Sequence, residues 1–189
     1  MKIRDSGMPG EAIWNAFFNV EKILDTLFVN NSVTNLVEVG CGYGTFTLEA
    51  ARRIQGKLFA LDIELDMIEY VSNKAATEGI RNIELHNIDV FSHEPKIKKE
   101  LVDYVMLFNI MHHDKPLEFL AKAYKILKSG GKVGIIHWRT DMETPRGPDM
   151  TIRPKPEQCV RWAELAGFSV ALQPVILEPF HYGLVGVKK

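Results

Sequence analysis

Apolar positions along this chain change their period several times. From Glu11 to about Phe28 they recur every three or four residues, at Ile13, Phe17, Val20, Leu24 and Leu27 or Phe28. That is the spacing of one helix or a pair of helices. After the polar turn NNSVTN the period shortens. LVEVG (36–40) reads as a strand, and Thr45 to Ile54 as a helix with Phe46, Ala50 and Ile54 on one face. KLFALD (57–62) is a second strand. Leu65 to Thr77 turns Met67, Ile68, Val71 and Ala75 inward, and Gly79 stands past its end. A third strand lies within NIELHNIDV. VDYVMLFN (102–109) is apolar almost throughout, the mark of a strand covered on both faces. Pro116 to Leu127 gathers Leu117, Leu120, Tyr124 and Leu127 on one face, with Gly130 and Gly131 to end it. KVGIIHW (132–138) is a fifth strand, and Glu157 to Ala166 a helix stopped by Gly167. FSVALQPVIL and HYGLVGVKK supply two more strands. Alternation at this spacing predicts βαβ units, a parallel sheet and helices on both faces. Ligands of such α/β sheets sit outside the carboxyl ends of the strands.

Composition adds bounds. The chain has 189 residues, enough for one domain (1–189) with a sizeable core. A formal net charge of −1 gives no field that gathers nucleic acid or anionic membrane. Two cysteines, Cys41 and Cys159, make neither a disulfide framework nor a four-thiolate zinc site, and a cytoplasmic, reducing home is expected. No segment has the pattern of a signal peptide or reaches the roughly 18 apolar residues of a membrane span.

The chemistry begins at VEVGCGYGTF (37–46), where Gly40, Gly42 and Gly44 alternate between the first strand and the following helix. Loop N–H groups and the helix start converge on one spot, where a ligand carrying an anionic group is favoured. A triphosphate loop needs Gly-Lys-Ser/Thr, and no lysine is present. A dinucleotide loop needs G-x-G-x-x-G, and here the third glycine comes one residue early. A third ligand class, S-adenosylmethionine, carries a carboxylate without phosphate. Glu38, two residues before Gly40, suits the ammonium group of that ligand. The alternative is a tight turn in an unliganded domain. Asp62 ends the second strand in LFALDIE, where a carboxylate can accept from both hydroxyls of a ribose; otherwise it caps the helix that follows. Asp89 in HNIDVF is placed to accept from an adenine amino group, with the Val90 backbone at the ring edge; otherwise it is a solvated loop acid.

VEVGCGYGTF, ALDIE, NIDV, VDYVMLFNIMHH and LKSGGKVGIIHW, in that order, resemble the class I S-adenosylmethionine-dependent methyltransferases. The subgroup resembled is the small ubiquinone/menaquinone-type, methyltransferase-11-like enzymes and their arsenite-methylating relatives. The resemblance spans roughly residues 35–140. It implies a Rossmann-like seven-stranded sheet of order 3-2-1-4-5-7-6, mostly parallel, with strand 7 antiparallel. It implies S-adenosyl-L-methionine as cofactor and S-adenosyl-L-homocysteine as product, draped over strands 1, 2 and 4. It places Glu38, Gly40, Cys41, Gly42 and Gly44 along the methionine part, and Asp62 and Ile63 at the ribose with Met67 nearby. Asp89 and Val90 hold the adenine, and Phe108 and Asn109 flank the methyl-bearing side. Arsenite methylation works through several cysteines, so the two here argue against arsenic as substrate.

The cofactor already carries an electrophilic methyl group, so the protein must hold a nucleophile in line with it. Just past the fourth strand stand His112 and His113, and His113 is the candidate general base, against a packing role. His137 in the fifth strand points to the same rim, against a place in the core with Trp138. The three histidines lack metal-ligand spacing, and no metal is expected. The aperiodic segment 139–156 holds four prolines and reads as a functional loop. Its Arg139, Arg146 and Arg153 are candidates to bind an anionic substrate, against ion pairs with Asp141, Glu143 and Asp149. Residues 1–30 form a candidate helical cap, with Met8, Trp14 and Phe18 as apolar cover, against a helix packed permanently on the sheet. The leading expectation is methyl transfer to a small molecule by a monomer or homodimer, with neither membrane nor nucleic acid as partner. The alternatives are a non-catalytic S-adenosylmethionine-binding protein and an NAD(P)-dependent oxidoreductase.

Overall fold

The computed structural model describes residues 8–93, 97 and 100–189. The first seven residues of the expected 1–30 cap therefore lie outside the described residues. Seven strands form one sheet: β1 (Leu36–Val39), β2 (Leu58–Asp62), β3 (Ile83–Asn87), β4 (Val102–Phe108), β5 (Leu127–Trp138), β6 (Phe168–Leu177) and β7 (His181–Lys188). The order is β3-β2-β1-β4-β5-β7-β6. β1 to β5 run parallel, and β7 pairs antiparallel with both β5 and β6. The order and the antiparallel strand are those the resemblance implied.

Alternation along each strand divides the core. In β4, Tyr104, Met106 and Phe108 enter one apolar cluster while Val105 and Leu107 enter the other. Period two sends neighbouring side chains to opposite faces, so both faces of this strand require cover. Helices α2 (Val20–Thr26), α3 (Thr47–Arg53) and α4 (Leu65–Thr77) cover the first, through Leu24, Ala50, Ala51 and Val71. Helices α5 (Pro116–Ile126) and α6 (Pro156–Leu165) cover the second, through Leu120, Ala123, Cys159 and Ala163. At Gly134 a Cβ would stand 2.1 Å from the Tyr104 hydroxyl. The missing side chain lets Tyr104 lie across β5 and donate to the Leu27 carbonyl at 2.8 Å.

Several elements differ from the pattern-based reading. Of the helix or helix pair expected from Glu11 to Phe28, the pair is what forms, as two short helices, α1 (Glu11–Asn15) and α2, though with Phe18 bridging to Pro179 between them. Ile13 is exposed, as is Leu117 at the start of α5, whose buried residues are Phe119, Leu120 and Ala123. Gly130 and Gly131 do not cap α5. Leu127 already pairs with Val102, and the glycines sit where the register shifts before Lys132 reaches Tyr104. Gly130 adopts φ 77°, a conformation open to glycine at little cost.

Candidate active site

A cleft of about 240 Å3 lies outside the carboxyl ends of β3, β2, β1 and β4. Its floor is the glycine loop. Gly40, Gly42 and Gly44 all hold positive φ, at 79°, 49° and 77°. A Cβ on Gly40 would come 3.2 Å from Ile110, and one on Gly44 would come 3.0 Å from Val71. The loop is tied back to β2, since the N–H groups of Gly40 and Cys41 donate to the Leu61 carbonyl at 2.7 and 3.2 Å. Gly40 and Gly42 line the cleft, whereas Glu38, Cys41 and Gly44 support it from outside the lining. The Cys41 thiol is 5% exposed, and burial raises its pKa, so it stays protonated. α3 begins at Thr47, two residues later than expected, and the Thr47 hydroxyl donates to Glu38 at 2.5 Å. Glu38 is 2% exposed, and burial, opposed by that hydrogen bond, moves its pKa from the ordinary 4.5 up to about 8.

Asp62 and Asp89 are both oriented by their surroundings. Asp62 accepts from Gly42 N at 2.8 Å and from Glu64 N at 3.0 Å, one bond to each carboxylate oxygen. A carboxylate offers about four acceptor positions, so each oxygen can still meet a ligand hydroxyl. Asn87 steadies this corner by donating to the Asp62 and Ile63 carbonyls. Asp89 accepts from the Ser92 hydroxyl at 2.7 Å and Phe91 N at 2.8 Å, which together keep its carboxyl ionised below the usual range. Ile63, Met67, Val90 and Phe108 line the same cleft. Asn109 stands at φ 58°, and its Oδ1 is buried without a hydrogen-bond partner. A buried acceptor left unpaired costs about 1–3 kcal/mol, and its place on the cleft wall marks where a donor from a ligand belongs.

The two neighbouring histidines diverge. His113 stacks on Phe91, with ring centroids 4.4 Å apart, and edges Phe119. Its Nδ1 lies 3.0 Å from Lys115 N and 2.8 Å from Asp114. His112 turns toward β5, where its Nδ1 meets Nε2 of the buried His137 at 3.2 Å. Burial, reinforced by His113, lowers the His112 pKa to about 4. His137 is lowered too, chiefly by burial. His112 lines the cleft, as Trp14 and Met8 do from the N-terminal side, whereas His137 is fully buried behind it and is not part of the lining.

The arginines expected to hold substrate are elsewhere. Arg153 is 8% exposed and donates to three backbone carbonyls, Pro148 at 2.8 Å, Arg139 at 3.1 Å and Arg146 at 3.2 Å. Its guanidinium also lies over Trp138. It staples the 139–156 loop from within. Arg139 forms a two-pronged surface pair with Asp141, and Arg146 is exposed. None of the three lines the cleft. Phe18 is buried in the apolar core against Phe46 and His181 and does not line it either. Ile110, Phe91 and Thr47 carried no signal in the sequence, since their importance rests on contacts across loops.

The charge of the lining decides among ligands. Asp62, Glu64, Asp89 and Asp114 line the cleft, and among the described residues no lysine or arginine does. A pyrophosphate would meet carboxylates with no counter-charge, whereas a sulfonium and an ammonium meet the opposite charge they require. With three glycines as a cradle, two carboxylates at the ends of β2 and β3 and an unpaired Asn109 oxygen, these residues fit S-adenosylmethionine.

Comparison with known proteins agrees. The sequence matches the family described as "Methyltransferase domain" over residues 36–131. It is 30% identical over 101 residues to aklanonic acid methyltransferase DauC of Streptomyces sp. (strain C5), a match covering 52% of this chain and 45% of that protein. The matched part is thus less than half of that relative. A SAM-dependent methyltransferase from Aquifex aeolicus superposes with a TM-score of 0.82 at 21% identity, covering 100% of this chain and 97% of that one. A type 11 methyltransferase assigned in Sulfolobus solfataricus superposes with a TM-score of 0.71 at 25% identity, covering 89% and 90%.

Proposed function

This chain belongs to the methyltransferase-domain family, and we propose that it moves the methyl group of S-adenosylmethionine to a small, uncharged acceptor. The observation that carries this reading is the acidic cleft lining, without lysine or arginine among the described residues. It favours a cationic cofactor over a dinucleotide and gives an anionic acceptor nothing to pair with. When bound, the cofactor supplies a methyl group made electrophilic by its sulfonium.

The chain's own residues then bind, orient and exclude water. Asp62 takes the ribose hydroxyls, and Asp89 with the Val90 backbone takes the adenine edge. Ile63, Met67 and Phe108 are apolar walls, and the unpaired Asn109 oxygen receives a donor from the cofactor or the acceptor. Glu38, with the loop of Gly40, Cys41, Gly42 and Gly44, supports the amino-acid end. His113, stacked on Phe91 two residues after Asp89, serves as a wall of the adenine end. Met8 and Trp14 close the cleft against water, which would otherwise compete as nucleophile. Neither membrane nor nucleic acid is proposed as a partner. Among the described residues no helix is long and apolar enough to cross a membrane. Two buried, unpaired cysteines suit a reducing compartment such as the cytoplasm.

Calorimetric titration with S-adenosylhomocysteine and, separately, NADH tests this reading. Binding of S-adenosylhomocysteine alone is expected. Binding of NADH alone would replace methyl transfer with hydride transfer, and binding of neither would leave a family member whose pocket has lost its ligand.

A further inference from the structure

Two histidines follow β4 in succession: His113 accepts the Lys115 N–H on Nδ1 at 3.0 Å, so its other nitrogen carries the proton, whereas His112 is backed so as to present a bare one. His112 lines the cleft, and its Nδ1 lies 3.2 Å from Nε2 of His137. His137 is fully buried, and its other nitrogen, Nδ1, faces the carbonyl of Trp138 at 3.4 Å. A carbonyl can only accept, so His137 carries its proton on Nδ1 and leaves Nε2 as a bare lone pair. That lone pair in turn accepts from His112, which must carry its own proton on Nδ1. The remaining nitrogen of His112, Nε2, is therefore an acceptor, and it has no hydrogen-bond partner among the described residues. The relay runs Trp138 carbonyl, His137, His112, cleft. It sets the chemical character of the last atom from inside the sheet.

Position separates His112 from His113. His137 belongs to β5, on the far side of β4 from the adenine end, while His113 is turned back onto Phe91 beyond β3. His112 thus stands on the β5 side of the cleft and His113 on the Phe91 side.

Resting on the methyltransferase reading, we propose that Nε2 of His112 accepts the proton of a hydroxyl-bearing acceptor during methyl transfer, and that His137 holds His112 in the tautomer this requires. The step balances. A lone pair on the acceptor oxygen forms the new O–C bond, the C–S pair stays on sulfur, and the hydroxyl proton passes to His112 Nε2. The positive charge moves from sulfonium to imidazolium, so the net charge of the cleft is unchanged.

The weak basicity of His112, set by its burial, suits oxygen rather than nitrogen. An oxygen that is acquiring a methyl group becomes an oxonium-like acid, which even a weak base deprotonates. An aliphatic amine, with an ordinary pKa of about 10.4 like lysine, must lose its proton before attack, and this imidazole is too weak to remove it.

The test uses the full chain with 15N-labelled histidine, saturated with S-adenosylhomocysteine, and long-range 1H–15N correlation spectra. His112→Gln identifies the His112 signals by their loss. The expected result is a protonated Nδ1 and a bare Nε2 at His112; a proton on Nε2 would overturn the proposal. Addition of phenol should shift the Nε2 resonance, and anisole, which lacks the hydroxyl, should not. An unmoved Nε2 with phenol, or an equal shift with anisole, overturns the choice of hydroxyl. His137→Phe should release His112 into a mixture of tautomers while cofactor-product affinity is kept, and His137→Asn serves if the phenylalanine variant does not fold. A His112 tautomer unchanged in the variant removes His137 from the relay. Failure of S-adenosylhomocysteine to bind strikes the methyltransferase reading, whereas binding with a protonated Nε2 strikes this inference alone.

Discussion

At the scale of single residues, Asp62 does two jobs. It holds the glycine loop through Gly42 and keeps a free acceptor position on each oxygen for a ribose. Asp62→Ala is expected to weaken S-adenosylhomocysteine binding more than about tenfold, or about 1.4 kcal/mol, by calorimetry. Gly44 has φ 77° and Val71 at 3.0 Å from the site of a Cβ. Gly44→Ala forces an L-residue into the left-handed region at a cost of about 1–2 kcal/mol, so its melting temperature should fall by several degrees. Glu38 offers a proton count. Burial raises its pKa to about 8, so the free protein holds it protonated at neutral pH. A ligand ammonium group held at the loop that Glu38 supports favours the carboxylate. Binding should then release about one proton per site near pH 7, read from calorimetry in two buffers of different ionisation enthalpy. Glu38→Gln should abolish the release.

At the scale of elements, α1 is too short to persist alone, since isolated helices below about 12 residues are marginal in water. It is held by Glu11, which pairs with Lys74 of α4 at 2.6 Å and accepts from the Tyr70 hydroxyl. Asn15 adds a bond from Thr45 at 2.7 Å. Glu11→Ala should raise hydrogen exchange across Glu11–Asn15 while leaving the sheet protected. The 139–156 loop depends on Arg153 in the same way. Arg153→Ala leaves three carbonyls without their donor, a loss of about 1–3 kcal/mol. The expected outcome is a lower melting temperature with cofactor affinity unchanged. Reduced cofactor affinity would mean that the loop reaches further into the cleft than its contacts indicate.

At the scale of the whole molecule, buried ionisable groups give stability a definite pH dependence. His112, His137 and His181 have their pKa values lowered by burial, His112 to about 4 and His181 to about 3. From pH 6.5 downward the unfolded chain takes up protons that the folded chain refuses, so stability is lost as pH falls. Glu38 has the opposite sign. Between 4.5 and about 8 the folded chain holds a proton that the unfolded chain releases, so stability falls as pH rises. Below 6.5 three histidines outweigh one carboxyl, and from there to about 8 Glu38 acts alone. Melting temperature without ligand should therefore peak near the ordinary histidine pKa of about 6.5, and Glu38→Gln should flatten the alkaline side.

The sequence by itself determined the alternation of strands and helices, because period two and period 3.6 are written in the order of apolar residues. It also determined the floor of the cleft. Gly40, Gly42, Asp62 and Asp89 follow strands at fixed short offsets, and chain connectivity carries them to one edge of the sheet. Only the tertiary structure decided the rest. Whether Arg153 faces substrate or three carbonyls depends on how the loop folds over Trp138, which no local pattern encodes. Whether His112 or His113 presents a bare acceptor nitrogen depends on a partner 25 residues away on β5 and on the Lys115 N–H that His113 accepts. Local spacing governs which backbone groups can approach a ligand. Long-range packing governs burial, and burial sets the protonation state and the direction in which each side chain acts.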